Sequence, residues 1–173
     1  MHAQSAGPAA GLEPAWDIAV ILDEIGANAT RLLPELDKLE TKSWVAKGAS
    51  DTYAAQWQSC REQTQALADG AHALAKNPEH LSQALELFFR IEYLDRALGS
   101  VEEGARRYQN PASAQSVATV YAEGGANRER LRRYIVNLAA DRERQFEVMD
   151  KEAQRCRATL MAPTPPKTTG RKK

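Results

Sequence analysis

Between Ile18 and Leu39, apolar or small residues fall at Ile18, Leu22, Ile25, Ala29, Leu32, Leu36 and Leu39. The steps alternate four and three without a miss. On a helix, that repeat draws one narrow stripe along one face. Such a stripe has to be covered by other helices, so the rest of the chain must supply them.

It does so three times. Ser50 or Asp51 can cap a second helix that runs to about Lys76, with a stripe of Tyr53, Trp57, Cys60, Thr64, Leu67, Ala71 and Leu74. Asn77-Pro78 ends it, because proline pushes the residue before it out of the helical region. A third helix runs from about Glu79 to Tyr108 on Leu87, Ile91, Leu94, Leu98, Val101, Ala105 and Tyr108. Its second line, Leu81, Leu85 and Phe88, turns acidic at Glu92, Asp95 and Glu102. Asn110-Pro111 ends this helix in the same way. A fourth runs from about Ala112 to Leu160 on Val117, Tyr121, Gly124, Arg128, Leu131, Ile135, Leu138 and Arg142. After a four-residue stutter the stripe resumes at Phe146, Met149, Ala153, Cys156 and Leu160. Short turns make neighbouring helices antiparallel. The expected fold is all-α: an antiparallel, up-down-up-down four-helix bundle with a long final helix.

Three local features qualify that expectation. Pro34 lies inside the first helix, Pro14–Glu40, and removes the hydrogen bond to the Thr30 carbonyl, so it should kink or split the helix. Residues 41–50 read as a connection in which Trp44 closes one end of the core. Gly124-Gly125 is the weak point of the last helix, at roughly 1 kcal/mol per glycine relative to alanine, and should bend or break it.

The domain is expected over residues 14–161. Residues 1–13 read as a flexible lead-in of Ala, Gly, Ser and Pro, and residues 162–173 as a disordered, basic, Pro-rich tail. The small residues of the first eleven positions resemble the start of a mature exported protein, periplasmic or extracellular; a cytoplasmic location stays open. No apolar run reaches the ~20 residues of a transmembrane helix.

The net charge of zero hides an asymmetry. Residues 1–105 carry 16 acids and 8 bases, hence −8, and residues 106–173 carry 7 acids and 15 bases, hence +8. The simplest use of this layout is a basic last helix docked on an acidic body.

Chemistry finds little footing. His2, His72 and His80 stand in no metal-ligand spacing, and Cys-x-x-Cys-His is missing, so neither metal nor cofactor is expected. There is no Gly-x-Ser-x-Gly and no P-loop, so no enzyme is expected. Cys60 lies on an apolar stripe, where the thiol is a small buried hydrophobe. Counting through antiparallel turns puts Cys156 roughly 40 Å from the level of Cys60, beyond disulfide reach unless the last helix reverses at Gly124-Gly125.

Two constellations remain. Glu92 and Asp95 share a helical face, and the same counting sets Glu92 opposite Arg128, which lies on a core stripe and needs a carboxylate; this is a polar seam. The end of the last helix overhangs in that register, leaving Phe146, Met149, Ala153, Cys156 and Leu160 as a surface for a protein partner or a second copy. A different reading takes Arg128, Arg130, Arg132 and Arg133, with the basic tail, as contacts for an anionic polymer or surface. No nucleic-acid motif accompanies them, so nucleic acid is not the expected partner.

Overall fold

The computed structural model describes residues 12–161. Most of the expected lead-in and the whole expected tail lie outside these. The described residues are helical and contain no strand: α1 (Ala15–Asp37), α2 (Thr41–Ala46), α3 (Thr52–Ala75), α4 (Leu81–Tyr108), α5 (Pro111–Glu123) and α6 (Gly125–Met161). None of these helices is long and apolar enough to cross a membrane.

The first stripe is buried along its whole length, from Ile18 to Leu39. Ile21 and Asn28 widen it into a broader buried face. α1 passes through the exposed Pro34 without splitting and stops at Asp37, three residues short of the expected end. The 41–50 connection is more ordered than expected, since it holds the short helix α2. Trp44 on α2 is fully buried, as its closing role requires.

Cross-helix hydrogen bonds give the sense of each neighbour. Between α1 and α3, Trp57 Nε1 donates to the Leu36 carbonyl at 2.7 Å, Arg61 pairs with Asp37 at 2.6 Å and His72 meets Asp23 at 3.1 Å. The start of α3 thus meets the end of α1 and its end meets the start of α1, so the two are antiparallel. Arg90 donates to Gln63 at 3.0 Å, Tyr93 to Ser59 at 2.7 Å and Ser100 to Gln56 at 2.8 Å, which makes α3 and α4 antiparallel too. α5 closes back on α1 through Ser116 to Glu35 at 2.5 Å and Arg31 to Glu123 at 3.3 Å, and it also packs against α4.

The expected single helix from Ala112 to Leu160 is two helices. Asn110 caps α5 by accepting the Ser113 amide at 2.7 Å, with Pro111 in the first helical position. The break falls at Gly124, the first of the two glycines. There the Gly124 amide turns to the Tyr121 carbonyl at 3.3 Å, an i−3 bond, and the Val120 carbonyl needs a different donor.

The chain divides into two compact units, one ending at Leu138 and one beginning at Ala139, where the sequence suggests one domain over 14–161. The first unit contains the whole hydrophobic core. In the second, none of residues 139–161 is buried.

Candidate functional site

Two of the buried polar side chains of the first unit, Asn28 and Arg128, meet at the α5–α6 break. Asn28, buried on α1, donates from Nδ2 to the Val120 carbonyl at 2.7 Å. Arg128, buried on α6, donates from Nη1 to the Tyr121 carbonyl at 2.9 Å, and its guanidinium lies 3.7 Å from the centre of the Tyr121 ring. The break leaves the Val120 carbonyl to Asn28, while the Tyr121 carbonyl, which accepts the longer Gly124 bond, takes a second donor in Arg128. Gly124 makes room for both: a Cβ there would overlap Asn28 Oδ1 and stand 2.8 Å from Arg128 Nη1.

This corrects the expected seam. Arg128 is satisfied by a carbonyl and an aromatic face, not by Glu92. The partner of Glu92 is Arg132, one turn further along α6, at 2.9 Å. Arg132 also pairs with Asp95, and with Glu129 at 3.4 Å. Tyr121 links the two groups, its hydroxyl donating to Asp95 at 2.6 Å. Burial, and then the bond to Asp95, push the Tyr121 phenol above its ordinary range, so it stays a donor. Burial pulls Arg128 below its usual value.

The four arginines of the polymer-binding reading have separate tasks. Arg128 is buried, Arg130 pairs with Glu13 at 2.7 Å, and Arg132 is shared among three carboxylates. Of the four, only Arg133 is exposed and has no ion pair among the described residues. The set does not form one free basic face.

Residues 139–161 present the opposite picture. Phe146 is 72% exposed, Met149 66% and Leu160 81%, and Ala153 and Cys156 are exposed as well. Nearby charges pair along the helix itself, as in Arg144 to Asp141 at 3.3 Å. Cys60 and Cys156 are both free thiols. Burial pushes the Cys60 thiol up to about 11.

Two residues that pattern reading missed organise the first unit. Asn28 falls in a second run, Ile21, Ile25, Asn28 and Leu32, where one polar residue among apolar ones is the available signal. Gln109 joins the α1–α2 turn to the start of α5. Its Oε1 accepts from the Glu40 amide at 2.9 Å and Trp44 Nε1 at 3.0 Å, while its Nε2 donates to the Lys38 carbonyl at 3.0 Å and Ser113 Oγ at 3.2 Å. No short motif announces such a residue. A shallow groove of about 410 Å³ between α3 and α4 is lined by Asp69, Gly70, Glu86, Leu87 and Arg90 among others, a mixed surface with no converging catalytic set.

No protein-family model matches this chain, and neither a curated protein nor a solved structure matches it at a significant level.

Proposed function

We propose that this chain is a non-catalytic helical interaction protein. Its fold in this reading is an up-down-up-down four-helix bundle, with α5 and the start of α6 as the fourth member. Its association surface is the apolar stripe Phe146, Met149, Ala153, Cys156 and Leu160, used for self-assembly or for a protein partner. The observation that carries the reading is the exposure of large apolar side chains at heptad spacing, on residues of which none is buried. The polar cluster supports a structural role, because the groups at the α5–α6 break bond one another. The dispersal of Arg128, Arg130 and Arg132 into internal partners weighs against a polymer-binding face.

The test compares the whole chain with a Phe146→Glu, Met149→Glu double variant by light scattering over a range of concentrations. Both positions are exposed, so the variant keeps its fold, which circular dichroism checks. A mass that rises with concentration in the parent and stays at one chain in the variant is the expected result. Association that survives the double substitution overturns the reading. A single-chain mass for both removes self-association and leaves only a different protein as partner.

A further inference from the structure

We infer that the occupant of the 146–160 stripe is the same stripe of a second copy, lying parallel and in register; this rests on the association surface proposed above. The argument is one of charge complementarity. With Phe146, Ala153 and Leu160 at the first core position and Met149 and Cys156 at the second, the flanking positions are Gln145, Asp150, Glu152, Arg157 and Thr159. In a parallel pair, each flanking residue before a first core position faces the residue five further along the other chain. Glu152 then meets Arg157 of the second copy, twice by symmetry, and Gln145 meets Asp150, so every flanking contact is attractive or neutral.

The antiparallel register that covers Phe146 fails on the same residues, and sliding it by one heptad, which would pair Asp150 with Arg157, leaves Phe146, the bulkiest side chain of the stripe, uncovered. Matching its core layers places Cys156 opposite Phe146 and centres the pair between Asp150 and Glu152. Asp150 then faces its own twin and so does Glu152, leaving Glu143 with Arg157 as the attractive contact. Like charges directly opposed in a helix pair are unfavourable. The outward positions Arg144, Glu147, Lys151, Gln154 and Arg155 are polar, which keeps the apolar stripe one-sided. Val148 and Met161 are the exceptions, exposed off the stripe.

The parallel arrangement has a chemical signature. It sets Cys156 against its own twin, within the ~7 Å between Cα atoms that a disulfide needs. The antiparallel register with Cys156 opposite Phe146 separates the two by ten residues of axial rise, roughly 15 Å. Oxidised glutathione supplies the oxidant: two Cys156 thiols give up two protons and two electrons to form one sulfur–sulfur bond, and one glutathione disulfide becomes two glutathione thiols.

The experiment uses the full chain. Its mass is followed by light scattering as concentration rises, and the oxidised product is mapped by peptide mass spectrometry, with Cys156→Ala as control. The expected result is a dimer joined at Cys156–Cys156. Arg157→Glu should weaken association roughly tenfold, since two attractive contacts become repulsive. Adding Glu152→Arg to that variant should restore it. A dimer that forms no Cys156 bond and shows no charge-swap rescue overturns the parallel pairing. If Phe146→Glu still dissolves that dimer, the association surface stands. A single-chain mass at every concentration overturns self-pairing altogether. A dimer indifferent to Phe146→Glu overturns the surface as well.

Discussion

At the scale of single residues, the α5–α6 break turns on the mutual fit of Asn28, Gly124 and Arg128. Replacing a helix-end glycine with alanine usually favours folding. Here the added methyl would overlap Asn28 Oδ1, so packing reverses the sign. Gly124→Ala should lose about 1–3 kcal/mol in urea unfolding. Asn28→Ala should lose about 1–3 kcal/mol by leaving the Val120 carbonyl without its donor. The double variant should cost less than the sum of the two, because removing Asn28 opens the space the methyl needs; strict additivity would show that the two side chains do not share that space. Glu35 gives a pH-dependent counterpart. Lys38 and then Ser116 hold its carboxyl below the usual range. A carboxylate lowered in the folded state adds stability that is present above its unfolded value, near 4.3, and fades as pH falls through the folded value. Glu35→Gln should therefore be less stable than the parent at neutral pH, and the gap should close in acid. An unfolding series across that window checks it, and a gap independent of pH would assign the effect to packing.

At the scale of elements, much of the architecture was legible because each helix carries its own heptad stripe and its own stop. The Asn-Pro pairs end α3 and α4 near the predicted places, and the buried positions of α1, α3 and α4 follow the stripes closely. The misses share one cause: counting residues along an element says nothing about groups that join elements end to end. Arg128 lies on a core stripe and is buried, yet its partner is the Tyr121 carbonyl beside the break, which counting along one continuous helix does not single out. Glu92 faces α6, but the long arginine side chain that reaches it starts at Arg132, one turn beyond Arg128. Gln109 belongs to the same category, since its four bonds reach the α1–α2 turn, α2 and the start of α5, a junction that no periodicity describes. Gln109→Ala should strip Trp44 Nε1 and the Lys38 carbonyl of partners and cost about 1–3 kcal/mol. The emission of the buried Trp44 should shift to the red as the α1–α2 turn loosens. Unchanged stability would mean that water replaces all four bonds at that turn.

At the scale of the whole chain, the two compact units differ in what holds them. The unit ending at Leu138 has a continuous core and cross-helix bonds on every neighbouring pair described above. The 139–161 stretch has neither buried residues nor a core of its own, so its helical order rests on propensity and on pairs such as Arg144 with Asp141 and Gln154 with Asp150. Such pairs contribute about 0.2–0.5 kcal/mol each, and helices of this length without tertiary cover are only marginally stable in water. The charge asymmetry read from the sequence fits this division only in part, because Arg130 and Arg132 discharge against Glu13, Glu92 and Asp95 within the first unit. Hydrogen exchange separates the units directly. Amides of Ile18–Leu36 should be protected to the level of global unfolding at any protein concentration. Amides of 143–160 should exchange rapidly in dilute solution and slow as concentration rises, because pairing is what covers their apolar face. Protection there that is high and independent of concentration would mean that the face is covered within a single chain, and the exposed stripe would lose its claim to be an interface.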